Sequence, residues 1–246
     1  MIKSPFLICV INLDRAVGRL EYISSQLSAQ DLQFQRLSGV DGSKLGASEL
    51  SQLQRQYKYS YHYSALSAGE VGCSLSWHNV WGLVGQSKSK ATVVLEDDVK
   101  IADNFQSIVT SLFKSIDENI IIDLSGKKGF IEKDRRVVNG VTIIRYSSPP
   151  LGNQGAIYGR MAAKKLLENV AEFSAPCDNL RQMKWLHGVQ TWSLEEGCVS
   201  HQTREVGGSN IGHSKRKWPR KLREELLRPW YRGKNKIQNL IYGLKG

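Results

Sequence analysis

Residues 91–99 read Ala-Thr-Val-Val-Leu-Glu-Asp-Asp-Val. A continuous apolar run with β-branched residues suits a strand buried on both faces, the habit of parallel sheets. The run ends in three acids, Glu96, Asp97 and Asp98. Adjacent carboxylates repel one another and cannot be hidden without a partner. In open α/β sheets ligands bind beyond the carboxyl ends of strands, where this triplet would stand. Carboxylate oxygens suit Mg²⁺ or Mn²⁺, and such an ion can bridge to a substrate diphosphate. A solvated acidic turn or helix cap is the plainer alternative, and it stays open at this point.

Upstream, residues 6–11 (Phe-Leu-Ile-Cys-Val-Ile) form a second buried strand. Asp14 is placed to cap a helix over 15–29, whose Val17, Leu20, Ile23 and Leu27 recur at helical spacing. Phe34 and Leu37 make a short strand, stopped by Gly39 and the Val40-Asp41-Gly42 turn. That is a βαβ start. Residues 43–66 are polar and carry Tyr57, Tyr59, Tyr61 and Tyr63, which fits either a strand with one aromatic face or a packed loop. Residues 67–83 are helical, with Ser67 and Glu70 spaced as a capping box. Downstream come a loop at 85–90, a helix over 104–116, and strands at 120–126 and 141–146. A glycine-rich turn and a helix over 160–170 follow. Strands alternating with helices predict an α/β fold.

The composition is that of a globular protein: 246 residues, 41% hydrophobic and 23% charged. The length suffices for a sizeable core without staples. Cys9, Cys73, Cys177 and Cys198 lie far apart, with neither zinc spacing nor the density of a disulfide scaffold. The N-terminal apolar run is too short for a membrane span and lacks a cleavage pattern, so a soluble, cytosolic-side chain is expected. The net charge of +11 is uneven: residues 215–246 hold eleven Lys and Arg against two Glu, a net of +9. A near-neutral body does not read as a nucleic-acid binder. The tail mixes its cations with Trp218, Trp230, Tyr231, Leu226 and Ile237, which suits an interfacial helix on anionic lipid. RNA binding, or leucines packed back on the body, are its other readings.

Four blocks, in order, resemble glycosyltransferase family 25, the lipooligosaccharide galactosyl- and glucosyltransferases. They are VINLDRAVGRLEYI (10–23, closing in the turn at 40–42), LSAGEVGCSLSWHNVW (66–81), VVLEDDV (93–99) and LGNQGAIYGRMAAKKLL (151–167). Pro176-Cys177-Asp178 follows, similar to the family's Pro-Val-Asp. The resemblance covers about residues 6–211 and implies a GT-A-like fold, an open, mostly parallel sheet flanked by helices. It implies that Asp98 is the direct metal ligand, that Glu96 reaches the sugar or a metal-bound water, and that Asp97 reaches the ribose. Asn12, Leu13 and Arg19 match the uridine-binding end of the first strand; alone, Arg19 reads as a solvated helix face. Gln154 and Gly155 fall in the donor-binding block, where many family members have threonine and another small residue. Asp178 is the first candidate for the base and Glu70 the second, each with a helix-capping alternative. His201 is available as a late metal ligand, and Gln202 and Ser209 match the family's closing segment. One departure stands out: Trp77 occupies the place of a family histidine, and His78 is displaced about 100° around the helix.

The expected organisation is a GT-A-like catalytic domain over 1–211 and a basic helical tail over 212–246. The expected activity is inverting transfer of a hexose, galactose or else glucose, from a UDP-sugar to a lipooligosaccharide or lipopolysaccharide acceptor, with Mn²⁺ or Mg²⁺. The chain is expected to be cytoplasmic and peripheral on the inner membrane, held there by its tail, with no nucleic-acid partner. The rivals are a catalytically weak membrane scaffold of the same fold, suggested by Trp77, and a metal-dependent phosphoester hydrolase.

Overall fold

A computed structural model describes residues 6–56, 66–169, 175–202 and 218–245. Its framework is an eight-stranded open sheet. In chain order the strands are β1 (Leu7–Asn12), β2 (Gln35–Ser38), β3 (Ala91–Glu96), β5 (Ile120–Asp123), β6 (Glu132–Val138), β7 (Val141–Tyr146), β8 (Gly155–Gly159) and β9 (Gln190–Leu194). The remaining strands, β4 (Val99–Ile101) and β10 (Val199–His201), form a separate antiparallel pair. The sheet order is β2-β1-β3-β8-β5-β9-β7-β6. Only β8 and β7 run against the other six. This is the open, mostly parallel, helix-flanked sheet that the sequence led one to expect.

Alternation along the strands separates two cores. Val93 and Leu95 of β3 face a layer built with α1 (Val17–Ser28) and α4 (Phe105–Phe113). Val94 faces the opposite layer, which contains α3 (Ala68–Gln86), α5 (Arg160–Asn169), α6 (Cys177–Gln182) and α7 (Lys184–His187). A short helix, α2 (Ala47–Gln56), packs its leucines against the start of α3. The 40–42 turn meets α3 backbone to backbone: a Cβ on Gly72 would lie 2.6 Å from the amide nitrogen of Gly42.

Several expectations change. Val17 is exposed, and the buried stripe of α1 is Arg19, Ile23 and Leu27. Asp14 does not cap α1, whose N-cap is Ala16; it binds Arg36 and Ser38, tying the β1–α1 loop to β2. The glycine-rich stretch after Pro150 holds a central strand, β8. Its glycines are set by close contact: a Cβ on Gly155 would lie 2.8 Å from Leu95 Cδ2, and one on Gly159 would collide with the Glu118 carbonyl. The capping box of Ser67 and Glu70 is present. The tyrosine run at 57–63 and the boundary at 211/212 lie outside the described residues.

The C-terminal helix, α8 (Trp218–Lys245), lies against α6 and α7 through Tyr231, Asn235 and Asn239. Among the described residues no helix is long and apolar enough to cross a membrane. At one sheet edge β6 carries five consecutive charged residues, Glu132 to Arg136, four of them exposed.

Candidate active site

The site forms where β1 and β3 end side by side, with Ile11 opposite Glu96 in the parallel register. Asn12 closes β1. Its amide is fixed by Arg36, which donates to Oδ1 at 2.9 Å, and by its own donations to the Ala16 carbonyl and to Asp97 Oδ2, the latter at 2.8 Å. Arg19, one exposed face away from where its charge alone would put it, turns inward. Its Nη1 lies 3.1 Å from Asp97 Oδ1 and 3.3 Å from Asp98 Oδ2. Arg19, Asp97 and Asp98 are all buried, so the solvated readings of helix face and acidic turn do not hold. The repelling carboxylates have a cation of their own. Burial still raises the Asp97 pKa, outweighing the lowering by Asn12 and Arg19.

Strand alternation sends Glu96 to the opposite layer, the one that contains Trp77. The Trp77 indole donates to the Glu96 carboxyl, and Trp77 itself is fully buried. Burial first, then the charges of Asp98, Asp97 and Asp178, push the Glu96 pKa up to about 8. The position where the family resemblance leads one to expect histidine is therefore the floor beneath Glu96. The Gln154 backbone carbonyl accepts from the Glu96 amide at 3.0 Å, and Gly155 pairs with Leu95 inside the sheet. Leu13 is half-buried at the rim beside Gly39.

The β4–β10 pair brings the late segment of the chain to the acids. The Gln202 amide donates to the Asp98 carbonyl at 2.9 Å, and His201 Nδ1 lies 3.7 Å from Asp98 Oδ1. Asp178, half-buried in the first turn of α6, adds its charge to the Glu96 environment from the other side. Glu70 has a different employment. Its Oε2 accepts from the Ser67 amide at 2.7 Å and completes the capping box at the start of α3.

Sequence reasoning missed what holds α6 in place. Arg181, buried in this helix, donates to Asp123 Oδ2 at the end of β5 at 2.6 Å and also to the Pro150 carbonyl. Cys177 Sγ sits 3.4 Å from Cys73 Sγ on α3 and accepts from Asn153. Asp123 had a readable signal, since Ile-Ile-Ile-Asp repeats the pattern of an apolar strand ending in an acid. Arg181 had none.

Among the described residues no three His, Cys, Asp or Glu side chains converge as a ready metal cluster. Asp98 and His201 bring a carboxylate oxygen and an imidazole nitrogen together. That pair of donors fits a cation held mainly by substrate phosphates and water, the usual state of Mg²⁺ at phosphate sites. A cavity of about 290 Å³ lies elsewhere, at the starting ends of β5 and β9, lined by Ile120, Gln190, Arg136 and Trp192 among others.

Comparison with known proteins adds an independent line. The chain is similar to a glycosyltransferase 25 family member of Drosophila pseudoobscura pseudoobscura, 26% identical over 76% of this chain and 31% of that protein. It is also similar to procollagen galactosyltransferase 2 of Homo sapiens, 32% identical over 45% of this chain and 18% of that protein. The chain thus matches a third or less of the length of these two relatives. Among solved structures, a glycosyltransferase involved in the glycosylation of the major capsid of PBCV-1 aligns over 91% of this chain and 99% of its own, at 10% identity and a TM-score of 0.41. The family pattern described as "Glycosyltransferase family 25 (LPS biosynthesis protein)" matches residues 6–181. With that match covering most of its length, the chain belongs to glycosyltransferase family 25.

Proposed function

We propose that this chain transfers a hexose, galactose in preference to glucose, from a UDP-sugar to a lipooligosaccharide or lipopolysaccharide acceptor, with inversion. The observation that carries the reading is the buried network of Asp97 and Asp98 with Arg19 and Asn12 at the carboxyl ends of β1 and β3, next to a Glu96 that feels the charge of Asp178. The family description supports the acceptor class, and the human relative's name supports galactose. In this reading the enzyme works from the cytoplasm at an inner membrane.

Asn12, Leu13 and Arg19 bind the nucleoside end of the donor, with Asp97 held ready for the ribose. Asp98 and His201 would hold Mn²⁺ or Mg²⁺, and Glu96 would face the sugar or the ion's water. Such a cation, when bound, neutralises charge growing on the departing diphosphate. Asp178 takes the proton of the acceptor hydroxyl as its oxygen bonds to the anomeric carbon. The bond from that carbon to the diphosphate breaks on the opposite face. The Arg181–Asp123 pair fixes the helix that presents Asp178. The buried Trp77 floor excludes water beneath the reacting groups.

The test is turnover of UDP-galactose and UDP-glucose by the full chain with Mn²⁺ and a lipooligosaccharide acceptor, for wild type and Asp178→Asn. The expected result is acceptor-dependent product and a loss of about 10²–10⁴ in kcat for the variant, with the donor KM little changed. A loss confined to KM would assign Asp178 to binding. Donor cleavage without an acceptor would favour the hydrolase, and donor binding without turnover the scaffold. Activity indifferent to EDTA would remove the metal from the mechanism.

A further inference from the structure

The polarity of α8 is inverted. A helix on a globular protein ordinarily turns its apolar stripe inward and its polar face outward. Here the inward residues at four-residue spacing are Tyr231, Asn235 and Asn239. Asn235 Oδ1 accepts from the Trp185 indole at 2.7 Å. Asn239 accepts from the Trp185 amide and donates to the Gln182 carbonyl at 2.7 Å. These bonds seat the helix on the junction of α6 and α7. Leu226, Trp230, Ile237, Ile241 and Leu244 face outward, between 48% and 87% exposed. At about 100° per residue these five fall within an arc of roughly 60°, on the side opposite the asparagines.

Cations border this stripe. The same helical arithmetic places Lys234 beside one margin and Lys236 about 80° beyond the other. Lys234 Nζ lies 5.4 Å from the centre of the Trp230 ring, and Lys236 Nζ lies 4.0 Å from that of Phe130. Phe130 and Ile131, both more than 40% exposed, extend the apolar surface sideways. Lysine stems lie along apolar surface while their ammonium groups stay in reach of water, the arrangement side chains adopt at a lipid boundary. From this geometry we infer that the outward face of α8, with Phe130 and Ile131, docks on an anionic lipid surface. The apolar stripe enters the acyl boundary, and the bordering cations meet the headgroup phosphates. A nucleic acid would meet the stripe with its phosphates and leave five apolar side chains unused. A second copy of the chain would bring like charges together on both sides of the stripe.

This inference does not rest on the transfer reaction and has a readout of its own. The full chain is sedimented with vesicles of phosphatidylcholine alone and of phosphatidylcholine with phosphatidylglycerol, at low and high salt. Trp230 emission is followed with brominated lipid as quencher. The expected result is selective binding to the phosphatidylglycerol vesicles, weakened by salt, with quenching that falls in Trp230→Tyr. The double variant Trp230→Ser/Ile237→Ser should bind at least about tenfold more weakly while melting as the wild type does, since both side chains are outward. Lys234→Glu/Lys236→Glu should lose the preference for anionic vesicles. Equal sedimentation of wild type and the serine variant would overturn the proposal. So would RNA binding without vesicle binding, or a wild-type dimer that the serine variant makes monomeric and that ignores vesicles.

Discussion

Arg19 shows how much one side chain can settle. It occupies a core position of α1, four residues before Ile23 and eight before Leu27. That spacing was present in the sequence, but Val17 and Leu20 also fit a helical stripe, and a cation there reads as surface. The triplet Glu96-Asp97-Asp98 was legible because its position at the end of an apolar strand is a local feature. Its partner was not, because the contact between Arg19 and Asp97 spans 78 residues. The pairing carries an energetic consequence. Removing one member of a buried ion pair leaves the other charge uncompensated, at about 3–5 kcal/mol. Arg19→Met should therefore destabilise the chain by an amount approaching that range, less where solvent at the site rim relieves Asp98. Adding Asp97→Asn should restore part of the loss. Urea unfolding of the two single variants and the double variant measures the coupling. Additive losses would show that the pair contributes nothing to the fold.

Short elements were only partly legible, for a different reason: a helix following Asp178 stood as an alternative, but its division into two did not show. The helices α6 and α7 have six and four residues, too few for an apolar period to show. The strand β8 is bounded by glycines that ordinarily mark turns. Contacts from outside define these elements, and buried His187 is one of them. The Val189 amide donates to its Nδ1 at 3.0 Å, so the proton sits on Nε2, which donates to the Leu180 carbonyl at 3.2 Å. The ring thereby joins the end of α7 to α6. Burial pushes the His187 pKa down from 6.5 to about 4. The unfolded chain then binds the proton between those values and the folded chain does not. The stability contributed by neutral His187 is complete above 6.5 and is lost as pH falls toward 4. Between pH 7 and pH 5 this one residue should remove about 2 kcal/mol of unfolding free energy. His187→Gln, which keeps an acceptor and a donor, should flatten the pH dependence of urea unfolding by that amount. An unchanged slope would place the pH sensitivity elsewhere.

For the molecule as a whole, the opening βαβ unit and the layered α/β arrangement were readable, because they follow from runs of apolar residues near one another in the chain. The order of the sheet was not. It depends on β8 inserting antiparallel between β3 and β5, and on β9 and β7 pairing beyond it, choices made by contacts distant in sequence. The C-terminal helix was legible as basic and amphipathic, while its inverted seating on asparagines was not. An open sheet also has two ends. One is β2, four residues long, and the other is β6, with its run Glu-Lys-Asp-Arg-Arg. An unpaired strand presents a row of amides and carbonyls to any strand that drifts past, and alternating charge is what turns such strands away. The charges of β6 are therefore expected to guard this edge against strand addition, separate from any part they have in folding. Lys133→Val/Arg135→Val should melt near the wild-type temperature, since surface ion pairs contribute little. In concentrated, salted solution the variant should nevertheless cloud and bind thioflavin T, where the wild type stays clear. A variant that remains clear over weeks would show that this edge needs no guard. At high protein concentration, the solubility of the chain would then hang on Lys133 and Arg135, at the opposite end of the sheet order from β1 and β3, the strands that end at Asn12 and Glu96.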